Sequence, residues 1–145
     1  MPVNDEAPDG AETSRAYEPC LEAAYAFLDA FENGDWERFR NCFAEDATVF
    51  FLPSAHFPRR AEGRAEIEAV FPRVFAAARQ KESVAPYLTI EPKDIRLHQL
   101  HRAGVVTFHL EDPDAFGRRT IVFEKREETW LIVHLHASNL SGNHV

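Results

Sequence analysis

The sequence predicts an α+β fold, with three helices packed in the concave face of a strongly curved, mainly antiparallel sheet. Three observations carry this prediction. Between Tyr17 and Ala78, apolar residues recur at helical spacing, interrupted by one strand-like run. From Tyr87 onward the helical period is lost, and β-type runs follow one another between short turns. The last of these runs, residues 130–138, is the longest, and its side chains alternate between two faces. Leu131, Val133, Leu135 and Ala137 make an apolar face, and Trp130, Ile132, His134, His136 and Ser138 a mixed one.

The elements follow in order. Residues 1–14 are rich in Pro, Asp, Glu and Gly and read as a disordered or loosely docked tail. Residues 15–140 then form a single domain, and residues 141–145 fray. In the first helix Tyr17, Leu21, Ala24, Tyr25, Leu28 and Phe31 form the stripe, and Asn33-Gly34 supplies a left-handed end. Asp35 caps a short second helix whose apolar positions are Trp36, Phe39 and Phe43. Residues 47–52 are continuously apolar, as expected of a strand buried on both faces. A loop covers residues 53–60. Glu62-Gly63-Arg64 opens the third helix, where Pro72 predicts a kink or break. Residues 88–90 and 93–99 predict one long or bulged strand, because Pro92 cannot donate to a central ladder. Strands over 103–111, 118–126 and 129–138 follow, with turns at Asp112-Pro113-Asp114 and Glu127-Glu128.

The chain of 145 residues is long enough to bury a core without covalent staples. Twelve Phe, three Tyr and two Trp must be housed in that core or in a lined cavity. A formal net charge of −8 argues against nucleic acid and anionic membrane as partners, since both are held by basic patches. No run approaches the ~18 apolar residues of a membrane span. With no basic-then-apolar leader at the N-terminus, the expected location is the cytoplasm. Cys20 and Cys42 read as buried thiols, with a disulfide left to geometry.

Several segments resemble the nuclear transport factor 2-like, or cystatin-like cone, superfamily. Phe27-Leu28-Asp29-Ala30-Phe31-Glu32-Asn33-Gly34-Asp35-Trp36 is similar to its first two helices, and Phe43 to Val49 to its entry into the first strand. Glu62-Gly63-Arg64-Ala65-Glu66-Ile67 resembles the start of its third helix. The run 130–138 looks like the closing strand of the SnoaL-like and calcium/calmodulin-dependent kinase association-domain branches. The resemblance covers roughly residues 17–140 and implies a cone: a bent sheet closing over three helices, open at one end to a pocket. It also implies dimerisation, and members range from isomerases, dehydratases and cyclases to binding and assembly modules, so fold does not settle function. The kinase association domains carry a pocket arginine directly after the second histidine, where this chain has Ala137. A second family arginine falls near Ile121, and Arg119, two residues away on the same face, is its candidate replacement.

The candidate chemistry is sparse. His134 and His136 share one face and could hold a metal with His109 or Glu111, but no third ligand stands at a clear spacing. A polar sheet face or subunit interface is the preferred reading, with no metal and no cofactor. By strand parity, if no bulge intervenes, His109 joins His134, His136 and Trp130 on an outer face suited to a homodimer. Asp46, at the mouth of the first strand, and His56, in the loop after it, are the candidate general bases. The preferred reading of Asp46 is a capping or turn residue at the end of the second helix, and of His56 a solvated loop residue. Tyr25, Trp36, Phe50, Phe71, Phe75, Tyr87, Phe108, Arg119 and Phe123 are the candidate ligand-binding residues. The leading expectation is a pocket for a small apolar or aromatic molecule. An isomerase-, dehydratase- or cyclase-type enzyme and a structural homo-oligomerisation module stand as alternatives.

Overall fold

The computed structural model describes residues 18–53, 57–113 and 115–141. Helix α1 (Pro19–Glu32) presents Cys20, Ala24, Phe27 and Leu28 to the interior. Its end is set by Gly34 at φ 63°, where the Asn33 and Asp35 amides close back onto the carbonyls of Asp29 and Ala30. The Asp35 side chain accepts from the Arg38 amide and so starts the short α2 (Trp36–Arg40). Phe43 belongs not to this helix but to the first residue of β1 (Phe43–Phe50). The strand is buried on one side only: Val49 is fully buried, whereas Phe50 points outward and is half-exposed.

Between the segment read as a loop and the third helix lies a further strand, β2 (Arg60–Glu62), paired antiparallel with residues 48–50 of β1. Three residues with only Ala61 buried carry no periodic signal, so pairing alone makes this strand. Helix α3 (Arg64–Lys81) runs through Pro72 without the expected break. The proline itself is exposed, while Ile67, Phe71, Phe75 and Ala78 bury a stripe on either side of it. That burial offsets the roughly 3 kcal/mol that an interior proline costs. The strand expected over 88–99 is shorter: β3 is Lys93–Gln99, and residues 88–90 run as irregular chain. Their backbone is instead tied to α1. The Tyr87 and Leu88 amides donate to the Glu32 carbonyl, and the Ile90 amide to the Glu32 carboxylate.

Strands β4 (Ala103–Asp112), β5 (Ala115–Arg126) and β6 (Thr129–Ser141) complete a six-stranded sheet in the order β2-β1-β6-β5-β4-β3. Every pairing is antiparallel except β1 with β6. The curved, open sheet encloses the three helices as an α+β cone of the cystatin-like type. A cluster of rings packs between helices and sheet: Phe39 stacks on Phe27 and meets Phe31, Phe43, Phe71 and Phe75 tilted or edge-on, at centroid distances of 4.8–5.4 Å.

One register shift changes the reading of β6. Val122 pairs with His134, but Phe123 pairs with Ile132, so Val133 is an extra residue at a bulge. Ile132 is therefore fully buried together with Leu135, where strict alternation had placed them on opposite faces. Trp130, on the same side as Ile132, packs part-buried against the core rather than on the outer face with the histidines. Beyond the bulge, Leu135 and Ala137 face inward, and His134 and His136 outward.

Candidate functional site

The open end of the cone leads into a cavity of about 730 Å3. Its apolar wall is built from α1 (Phe27, Leu28, Phe31), α3 (Phe71, Val74) and the sheet (Val49, Phe108, Ile121, Leu135). Each of these lies on the inner side of an amphipathic element, so the apolar stripes that hold the core also line the cavity. The segment pinned by Glu32 provides Leu88, Thr89 and Ile90 at the lip, and residues 51–53 with Phe57 provide the opposite lip. Polar groups gather at one end: Glu91, Lys93, Glu111 and Arg119.

Arg119 lies on the inner face of β5, in register with Phe108 on β4 and Ala137 on β6, both of which also line the cavity. Its guanidinium donates to the carbonyls of Arg118 at 3.0 Å and Ser138 at 3.4 Å, and to Asn139 Oδ1 at 3.4 Å. A charged donor is thereby held at the edge of an apolar volume.

Of the sequence-derived ligand residues, Phe71, Phe108 and Arg119 border this cavity, as does Phe50, although its ring is turned to the outer face. Phe75 and Phe123 are buried in the core, and Trp36 stacks on Phe39 with its edge toward Phe75. Tyr25 is 47% exposed on the outer side of α1, and Tyr87 packs beneath the Arg79 guanidinium. Trp36, Phe75 and Phe123 stand outside the cavity because a stripe tells which way a ring points, not whether atoms or space lie beyond it, whereas Tyr25 points outward, against the stripe that had included it. The same limit hid Leu28 and Phe31 as cavity wall, which read simply as stripe positions, and Phe27 lay outside the expected stripe altogether. Glu32 and the lip it holds gave no signal at all, being a lone carboxylate at a helix end.

Asp46 lies in β1 away from the cavity, exposed, and accepts from both terminal nitrogens of Arg126 at 2.7 and 3.2 Å. The hydrogen bond from Arg126 holds its carboxyl below the usual carboxylate value. An ionised, paired, solvent-facing carboxylate lacks the apolar setting that raises a carboxylate toward general-base duty. His56 lies outside the described residues.

On the outer face, His134 Nδ1 is 2.7 Å from the Thr48 hydroxyl, and Phe50 stands edge-on to His134 and His136, 5.4 Å from each. Arg60 caps the Phe50 ring at 5.1 Å. Burial first, then His136 and Arg60, lower the His134 pKa. His109 is 2.9 Å from a Glu111 oxygen and stacks on Phe116. Among the described residues, no three His, Cys, Asp or Glu side chains gather to hold a metal ion. Cys20 and Cys42 are both free, and burial pushes each thiol up to about 11. No helix among the described residues is long and apolar enough to cross a membrane.

A family model described as a SnoaL-like domain matches residues 21–141. No curated protein matches the chain. Similar solved structures include an NTF2-like protein of unknown function from Pseudomonas putida, with TM-score 0.68 at 15% identity, covering 86% of this chain and 87% of that one. A proposed dehydratase of the NTF2-like family from Streptomyces avermitilis aligns with TM-score 0.67 at 18% identity, over 85% of this chain and 95% of its own. A proposed calcium/calmodulin-dependent protein kinase type II association domain from Thiobacillus denitrificans aligns with TM-score 0.63 at 20% identity, over 81% and 92%. At these identities the likeness is one of fold.

Proposed function

The chain belongs to the SnoaL-like domain family, and from that premise we propose that its cone binds a small, mainly apolar or aromatic molecule. The observation that carries the reading is the cavity itself. At about 730 Å3 it is large enough for a fused ring system, and its wall is chiefly aromatic and aliphatic. Arg119 at the polar end adds a preference for an acidic group on that molecule. The Ala137 position, opposite Arg119 in register, keeps this end open because a methyl group is all it carries.

Fluorescence titration with N-phenyl-1-naphthylamine, a neutral aromatic probe, tests the reading. Saturable binding of one probe per chain is expected, weakened about tenfold or more by Ala137→Phe in a protein that melts at the wild-type temperature. Absence of saturable binding, or binding unaffected by Ala137→Phe, overturns it.

A second reading has one observation in its favour. Glu111 borders the cavity, so a proton-transfer enzyme would draw its base from this carboxylate rather than from Asp46. Deuterium exchange into enolisable cyclic ketones, abolished by Glu111→Gln, is its expected signature; equal exchange in both proteins removes it. The outer face bearing His109, His134 and His136 is the surface we assign to a homodimer, to be checked by light scattering of wild type and His136→Glu. Two free thiols favour a reducing compartment such as the cytoplasm.

A further inference from the structure

Gly117 occupies the interior of β5, where glycine weakens a strand by leaving backbone entropy high and nothing to pack. Its φ lies outside the left-handed region, so the backbone does not require glycine here. What the residue supplies is room. A Cβ at this position would lie 3.0 Å from Asn139 Oδ1 and 3.2 Å from an Arg119 terminal nitrogen. Gly117 pairs directly with Asn139 on β6 and with Leu110 on β4. The missing side chain thus leaves a recess between three strands, and the Arg119 guanidinium lies over it, donating to the Asn139 amide oxygen.

We propose that Gly117 and Asn139 are positioning residues: the recess and the amide oxygen together hold the Arg119 guanidinium against the cavity wall, and this sets the cavity's selectivity for a ligand with an acidic group. The inference rests on the apolar-cavity reading above and adds the residues that fix its polar end. Without the recess, a β-carbon at 117 displaces the guanidinium by a few tenths of an ångström, and a branched side chain moves it further toward the apolar interior. Without the amide oxygen, the guanidinium keeps the Arg118 and Ser138 carbonyls as acceptors and loses the side-chain oxygen that draws it across Gly117. Charged hydrogen bonds are directional, so either change degrades contact with a planar acid more than contact with its neutral amide.

The test compares 2-naphthoate with 2-naphthamide, which share one ring system and differ in charge, by isothermal titration calorimetry. Wild type is expected to prefer the acid by about tenfold. Arg119→Gln should abolish the preference. Gly117→Ala and Asn139→Ala should each lose most of it while binding the amide as wild type does. That acid-to-amide ratio is a readout that a purely structural role would leave unchanged. If Gly117→Ala fails to fold, Asn139→Ala and Asn139→Asp carry the test, the latter expected to discriminate against the acid. Retention of the wild-type ratio in the Asn139 variants overturns the inference. Equal wild-type affinity for acid and amide overturns it too, while the cavity reading survives. Binding of neither overturns both.

Discussion

Replacing Gly104 by alanine tests how closely α1 is laid on the sheet. Gly104 is buried in β4, and a Cβ there would stand 2.5 Å from Cys20 Sγ and 3.1 Å from a Leu97 methyl. Real β-carbons do not approach a sulfur that closely, and Cys20, in the first turn of α1 and fully buried, has no solvent into which to swing. Either helix or strand must move by most of an ångström, an overpacking cost of about 1–3 kcal/mol. For a chain of this size each kcal/mol lowers Tm by about 2–4 °C. The φ of Gly104 lies outside the left-handed region, so alanine carries no backbone penalty and the clash is the whole effect. Cys20→Ala removes the sulfur and leaves a β-carbon that the new methyl would meet at 3.5 Å, an ordinary contact. The double variant is therefore expected to be more stable than Gly104→Ala alone, with a favourable coupling of about 1–3 kcal/mol. Urea unfolding followed by circular dichroism measures all four corners of the cycle. Additivity within about 0.5 kcal/mol would refute the steric account.

Three other outcomes are expected. Phe39→Ala, at the hub of the aromatic cluster and fully buried, should cost about 3–5 kcal/mol, and Phe39→Leu distinctly less, by chemical denaturation. Because the His134 pKa is lowered in the fold, the unfolded chain takes up its proton first. Stability should then be full above the ordinary value of 6.5 and fall as pH drops through the folded value, and His134→Asn should flatten that part of a Tm–pH profile. The Thr48 hydroxyl, Phe50, His136 and Arg60 are the groups that face this ring, and an unchanged profile would show that His136 or another site dominates. The Asp46 carboxyl is held below its ordinary 3.8, so its contribution is present above that value and lost as pH falls through the folded one. Asp46→Asn should consequently lower Tm slightly at pH 7 and progressively less as pH is taken below 3.8, and should leave probe binding intact.

Much of the fold was legible because its signals are local. The Asn33-Gly34-Asp35 link declares a left-handed stop and a new cap within three residues, and α1 and α2 are joined in that way. The alternation of Gly104, Val106 and Phe108 predicts the inner face of β4, and all three are buried. The inward placement of Leu135 and Ala137 and the outward placement of His134 and His136 hold for the same reason. Failures occurred where a single pairing event overrides the local period. The bulge at Val133 moved Ile132 into the core and Trp130 with it. Strand β2 exists only because residues 60–62 meet β1. Helix α3 survives Pro72 because the buried stripe continues past it.

The candidate site divides along the same line. Residue order and periodicity assigned Phe71 and Phe108 to inner faces, and the family resemblance placed Arg119 beside them; all three are at the cavity. Whether an inward face meets another side chain or a void depends on how far apart helices and sheet come to rest. That distance is set by small residues at long-range contacts, such as Gly104 beneath Cys20. Such contacts join residues scores of positions apart, and no periodicity connects them, so tertiary packing alone decided that Phe75 and Phe123 are core while Phe27, Phe31 and Leu135 line a cavity.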